Sequence, residues 1–368
     1  MYNIEILLKL MLESKANDLF ISLGSYPVLM INGDYVKLQE EKITTEMLQD
    51  FRKGLLTTVQ EQIFIREKEL DFAYSIQGVG RFRVNYFVQR GSDAIVIHHI
   101  PTTIKTPVEL GLPTNLSELA LQDRGLILIV GSAGSGKSST LAAMIDHRNQ
   151  NKKGHILTLE DPIEFLHSHK KSIVNQREIG QDSLSFKRAL KSALRENPSA
   201  LLMGEIRDMD TIATAVNFAE TGHLVLSTMH ATNTQLAVER IFNIYGPELQ
   251  KAARNQLSEN ICAIIAQRLV PTKDNKLIPA IEILLPSNRV IDLIKKGEIH
   301  LLPRALEFSK TEGMQTFDQS LMQLYQDGII TPETAINYSD HKTDLTMKIK
   351  SEGWNRKDNT IQLDIEEV

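Results

Sequence analysis

The chain runs to 368 residues, enough for two domains with cores of their own. With 42% apolar residues, 24% charged residues and a net charge of −5, it has the composition of a water-soluble globular protein, not of a general nucleic-acid or membrane-surface binder. One cysteine, Cys262, excludes an internal disulfide and a cysteine-based zinc site. No apolar run reaches membrane-spanning length, and the N-terminus lacks a basic region followed by an apolar core, so a cytosolic protein is expected.

The first hundred residues predict a small α+β domain. Ile4, Leu7, Leu8 and Met11 form a helical stripe, and Asp18-Leu-Phe-Ile-Ser22 reads as a strand. Residues 27–36, with Asn32-Gly33 inside them, have the pattern of a hairpin, and 45–67 is mostly helical. Strand-like runs follow at 71–76, 81–89 and 94–100. In the second, Phe82, Val84, Tyr86 and Val88 share one face, which leaves Arg81 and Arg83 on the other.

The proline-rich stretch 101–113 reads as a linker. The domains expected are therefore 1–100 and 114–340, followed by a polar tail, 341–368, disordered in part. The second domain alternates strands, at 125–130, 155–160, 200–204 and 224–229, with helices. One helix runs through Phe186, Ala189, Leu190, Ala193 and Leu194 until Asn197-Pro198 stops it. Further on, 248–270 is expected as one long helix, carrying Cys262 as an inert core thiol. Residues 276–285 add β structure, and helices follow from the Ser287 cap to Gly297, over 316–327, and from Thr331-Pro332.

The apolar run 125–130 leads into Gly131-Ser-Ala-Gly-Ser-Gly-Lys-Ser138, which fits the phosphate-loop pattern G-x-x-x-x-G-K-[ST] with no substitution; 139–149 then reads as a helix. Strand, loop and helix in that order are what the chemistry needs. Glycines let the backbone curl until several N–H groups converge on one phosphate, and the helix N-terminus adds partial positive charge. The expected cradle is Ser132, Ala133, Gly134, Ser135, Gly136, Lys137, Ser138 and Ser139. Lys137 would reach the β- and γ-phosphates and the Ser138 hydroxyl would sit on Mg²⁺. A nucleoside triphosphate is the expected ligand.

Three more segments carry a resemblance: Leu159-Glu-Asp-Pro-Ile-Glu-Phe165, Leu202-Met-Gly-Glu-Ile-Arg-Asp208 and Thr221-Gly-His-Leu-Val-Leu-Ser-Thr-Met-His230. They look like the Asp box, Walker B and His box of the secretion-type hexameric ATPases, and the set is most similar to the type IV pilus retraction ATPases, PilT and PilU. The resemblance covers residues 1 to about 345. It implies an α/β fold, with a P-loop (RecA-like) ATPase core behind a small α+β (PAS-like) N-terminal domain. It leans to the PilU branch, because 289–300 and 313–319 read like that paralogue. Arg289-Val-Ile-Asp-Leu-Ile-Lys295 replaces the Ala-Ile-Arg-Asn-Leu-Ile-Arg of PilT-type chains, which implies an accessory motor.

The resemblance also assigns roles. Glu164 becomes the catalytic carboxylate that orients the attacking water. Glu205, at the Walker B position after Gly204, holds Mg²⁺ through water. His230 senses the γ-phosphate, while His223 is structural. Arg81 and Arg83 match a segment whose arginines neutralise phosphate charge as the two domains close. ATP and Mg²⁺ are implied, as are a homo-hexamer, a PilT-type retraction ATPase and an inner-membrane pilus platform protein as partners, and a cytoplasmic position at the inner-membrane pilus machine. Nucleic acid is not expected as a partner, since the chain is acidic and shows no basic stripe.

Two alternatives stay open. One is a nucleotide-binding subunit that gates a PilT-type partner while hydrolysing little, which the altered 289–296 segment favours and the presence of both Glu164 and Glu205 disfavours. The other is an extension or secretion ATPase, which commonly carries a four-cysteine zinc insertion that one cysteine cannot build.

Overall fold

The computed structural model describes residues 3–31, 33–38, 41–101, 103–309 and 313–351. The chain divides into two compact units. One takes in the described residues up to Thr103 together with Glu164–Leu166, and the other holds the rest from Ile104 onward.

The first unit is α+β. Its elements are α1 (Ile4–Glu13), β1 (Asp18–Ser22), β2 (Val28–Ile31), β3 (Asp34–Lys37), α2 (Thr45–Leu55), α3 (Thr58–Glu67), β4 (Glu69–Ile76), β5 (Gly80–Gln89) and β6 (Ser92–Ile100). The strands form one antiparallel sheet in the order β3-β2-β1-β6-β5-β4. The stripe on α1 is buried as its spacing requires, and Phe82, Val84 and Tyr86 of β5 face the same core with Arg83 exposed on the other face. Asn32 lies outside the described residues, but β2 and β3 pair as the hairpin around it. The helical stretch 45–67 is two helices, because Thr57 caps α3 by accepting from Gln60 N at 3.3 Å.

The second unit opens with α4 (Asn115–Ala120), β7 (Gly125–Val130), α5 (Lys137–Asn151), β8 (Gly154–Glu160), β9 (Ser172–Glu178), α6 (Phe186–Ala193), β10 (Ala200–Glu205), α7 (Met209–Glu220) and β11 (Leu224–Met229). It continues with α8 (Thr234–Asn260), β12 (Ile261–Pro271), β13 (Leu277–Leu284), α9 (Asn288–Lys296), α10 (Leu302–Phe308), α11 (Phe317–Gln326), α12 (Pro332–Tyr338) and α13 (Lys342–Ser351). Seven strands make one sheet in the order β13-β12-β7-β11-β10-β8-β9, parallel except for the β12–β13 pair. Leu126, Leu128 and Val130 of β7 pack into the layer with α7 and α8, while Ile127 and Ile129 pack into the layer with α4 and α5. Burial on both faces is why these strands read as unbroken apolar runs.

The structure corrects two expectations. Residues 248–270 are not one helix: α8 runs from Thr234 to Asn260 with a kink at Gly246-Pro247, and 261–271 is β12. An apolar run has no period to tell a buried strand from a buried helix, and parallel pairing with β7 decides it here. Cys262 is accordingly on a strand and half-buried; burial raises its thiol above the usual range, and it donates to Arg124 O at 3.2 Å. Leu194 leaves the apolar stripe, because α6 ends at Ala193 and the Leu194 side chain is exposed. The polar stretch after Asp340 folds in part, as α13, which buries Leu345 and Ile349 on one face; residues 352–368 lie outside the described residues.

Candidate nucleotide-binding site

Parallel pairing brings the C-terminal ends of β7, β10 and β11 to one edge of the sheet, where open α/β sheets bind ligands. Val130 pairs with Met229 on one side and with Ala266 on the other. Gly131, which opens the loop, therefore emerges between His230 and Gln267. The loop turns through Gly134 (φ 74°) and Gly136 (φ 85°), both in the left-handed region that side chains strain to adopt. Lys137 begins α5, so the helix directs its first N–H groups to the loop.

Ser132, Ala133 and Gly134 are exposed, whereas Gly136, Lys137, Ser138 and Ser139 are half-buried. Lys137 Nζ donates to the carbonyls of Gly131 at 2.9 Å and Ser132 at 2.7 Å, so its ammonium stays at the loop. The Ser135 hydroxyl is buried and has no hydrogen-bond partner among the described residues. An orphaned donor, a curled backbone and an ammonium fit a phosphate group. Beside the loop lies a cleft of 340 Å³, walled by Ser132 to Ser135 and by Thr232, Arg268, Leu269 and Tyr338.

On the neighbouring strands, β10 shifts register between Met203 and Glu205, with the Thr228 hydroxyl donating to Gly204 O at 2.7 Å. This irregularity re-aims the residue that follows it. Glu205, its side chain 18% exposed, accepts from Arg207 Nε at 2.7 Å and lies 3.3 Å from His230 Nε2. The hydrogen bond that Arg207 donates to Glu205 holds its guanidinium further above its ordinary value. Arg240 donates to His230 O at 2.8 Å and so anchors the end of β11. His223 is structural, its Nδ1 3.1 Å from both Phe218 O and Thr221 Oγ1. Asp208 caps α7, accepting from Thr211 N at 2.9 Å.

The structure thus gathers the phosphate loop, Glu205 and His230 in the second unit. Glu164 is exposed and groups with the first unit. Glu160, four residues before it, is engaged at the end of β8, accepting from Thr158 Oγ1 at 2.6 Å and Gln176 Nε2 at 3.2 Å. Arg81 and Arg83 lie on β5 of the first unit, where Arg83 Nε donates to both carboxylate oxygens of Asp71 at 3.0 Å. Sequence reasoning missed Gln267, which contacts the loop directly. No signal within the segment marks it: only the pairing of 261–271 beside β7, with Ala266 opposite Val130, brings residue 267 next to Gly131.

Comparison with known proteins agrees with this geometry. A family model described as "Type II/IV secretion system protein" matches residues 108–296. The chain is 45% identical over 347 residues to the type IV pilus ATPase PilU of Pseudomonas aeruginosa, covering 94% of this chain and 91% of that protein. It is 38% identical over 320 residues to the type IV pilus retraction ATPase PilT of the same organism, covering 87% and 93%. The crystal structure of the pilus retraction motor PilT with bound ADP superposes with a TM-score of 0.88 at 38% identity, covering 94% of this chain and 100% of that one. The chain belongs to the type II/IV secretion system protein family, in the group of pilus ATPases that holds PilU and PilT.

Proposed function

We propose that this chain is an ATP-hydrolysing motor subunit of type IV pilus retraction, of the PilU kind, acting as an accessory to a PilT-type ATPase. The observation that carries the reading is an intact phosphate loop beside a Glu205–His230 pair on one sheet edge, in a chain 45% identical to PilU. Backbone N–H groups of residues 132–139 and the Lys137 ammonium bind the β- and γ-phosphates. Ser138 and Glu205 would hold Mg²⁺, which when bound neutralises phosphate charge; few protein oxygens suffice, since Mg²⁺ keeps much of its water shell. His230 registers the γ-phosphate, a role supported by its contact with Glu205. Glu164 orients the attacking water, and Arg81 and Arg83 offset charge on the transferring phosphoryl group.

Six copies form a ring that works on an inner-membrane platform protein from the cytoplasmic side. No helix among the described residues is long and apolar enough to cross a membrane. A second reading, a nucleotide-gated subunit with little turnover, draws on α9, where Asp292 pairs with Lys296 and Lys295 with Glu259.

Steady-state ATPase of the purified chain and of Glu164→Gln, each alone and with a PilT-type partner, separates the two. Turnover by the wild type that disappears in Glu164→Gln is the expected result. ATP binding by the purified chain without turnover of its own, and equal turnover of the wild-type and Glu164→Gln mixtures with the partner, would leave the gating subunit.

A further inference from the structure

Strand β12 flanks the phosphate loop on the side away from His230. Its approach is close: a Cβ on Gly131 would lie 2.6 Å from Gln267 O, and one on Gly136 2.7 Å from Gln267 Nε2. Gln267 thus crowds two of the loop's glycines, although Ser135 Oγ is nearer still to a Cβ on Gly131. The Gln267 side chain is buried and both of its polar ends are used. Its Nε2 donates to Ser135 O at 2.8 Å, and its Oε1 accepts from Thr140 Oγ1 at 2.7 Å. The orientation of the amide follows from chemistry. A carbonyl only accepts, so nitrogen must face Ser135, and the oxygen is left for the Thr140 hydroxyl.

Ser135 O and Gly136 N–H belong to one planar trans peptide and point in opposite directions. Holding the carbonyl against β12 therefore turns the Gly136 N–H away from β12 and fixes the plane of that peptide. Gly134 and Gly136 on either side of Ser135 are left-handed, and the Gln267 bond joins the Ser135 N to Ser132 O contact at 3.3 Å and the Thr140 N to Gly136 O contact at 3.1 Å in setting that peptide. Thr140 lies on the first turn of α5, so a single amide ties the centre of the loop to the helix that follows it.

We infer that Gln267 is a positioning residue for nucleotide binding, acting through Ser135 to keep the phosphate loop in its binding shape. The inference deepens the nucleotide-binding reading above and rests on it. Gln267→Met keeps length and removes both hydrogen bonds. The measurements are the Kd for ATP by equilibrium fluorescence of a labelled analogue, KM and kcat for hydrolysis, and Tm without nucleotide.

The expected result is a rise of about tenfold in Kd and KM, because a buried carbonyl loses its donor and the loop must be ordered by the ligand. At saturating ATP, kcat falls by no more than about threefold, the pattern of lost uniform binding. Wild-type Kd and KM in Gln267→Met, at whatever Tm, would overturn the inference and leave the residue a core brace. If that variant does not fold, the Thr140 pair decides. Thr140→Val frees the amide and weakens binding, and Thr140→Ser, which keeps a hydroxyl, restores what Thr140→Val loses; equal affinities in the two would also overturn it. Wild-type protein that binds no ATP sinks the nucleotide reading itself and the inference with it.

Discussion

Glu205 Oε1 lies 3.3 Å from His230 Nε2, a contact between the ends of two neighbouring parallel strands. Its other oxygen is held by Arg207 at 2.7 Å. The carboxylate is thus aimed from both sides before any ligand arrives.

On the proposed reading, in which Glu205 would hold Mg²⁺, that contact couples His230 to the same carboxylate. Steady-state ATPase as a function of Mg²⁺ should show Glu205→Gln needing more Mg²⁺ for half-maximal turnover. His230→Ala should keep ATP affinity within a few-fold while kcat falls on the order of a hundredfold, the scale of a lost positioning group in phosphoryl transfer. Equal loss of affinity and turnover would assign His230 to ground-state binding instead.

Lys137 Nζ now bonds two carbonyls of its own loop. A phosphate adds a full negative charge that a carbonyl lacks, so the lysine is expected to exchange partners on binding. Lys137→Ala should weaken ATP binding roughly a hundredfold by equilibrium titration, with the apo Tm little altered. A large drop in apo Tm would show that the lysine braces the empty loop.

Arg268 follows Gln267 on β12 and holds the C-terminal helices. Its guanidinium lies 3.8 Å from the Phe317 ring centre, donates to Tyr338 O at 3.0 Å and pairs with Asp340 at 2.7 Å. Arg268→Met should cost about 2 kcal/mol in urea unfolding, discounted for a side chain partly in water. Arg268→Lys should recover little, because a point charge cannot serve ring, carbonyl and carboxylate together.

His167 gives the chain an acid-sensitive element. Burial lowers its pKa from 6.5 to about 4 and leaves the folded imidazole neutral. The unfolded chain takes up the proton more readily between those values, so the stability this residue allows is complete above pH 6.5 and falls as pH drops toward 4. At pH 5 the loss should be about 2 kcal/mol relative to pH 7.5. Urea midpoints at the two pH values should show that difference in the wild type and a smaller one in His167→Gln.

The legible parts of the sequence were those whose signal is local. The phosphate loop announces itself by spacing, and α9 by its Ser287 cap and Gly297 stop, which the structure reproduces. Central strands such as β7 and β11 also read correctly, since apolar runs bounded by glycine or polar turns leave few alternatives. What failed was non-local. Nothing within 261–271 distinguishes strand from helix; the partner strand lies 135 residues away at Leu126, paired with Ile261. Strand β9 was missed because an edge strand with a polar face, Ser172 to Glu178, has little apolar alternation to show. Gln267 was lost with its strand. Arg83 had the opposite problem: the alternation placed it on the exposed face, but only the register reveals Asp71 within its reach.

The turn before α13, already gripped by Arg268, is fastened from α11 by the Asp318 carboxylate. Asp318 accepts from Ser339 Oγ at 2.7 Å, Asp340 N at 3.0 Å and His341 N at 3.2 Å, and the helix beyond seats Leu345 and Ile349 against the core. A nick in that turn would therefore do more than trim a polar end. It would uncover an oily seam along α11 and α12, so shortened preparations ending near residue 340 should clump on storage where chains extending through Ser351 stay dispersed.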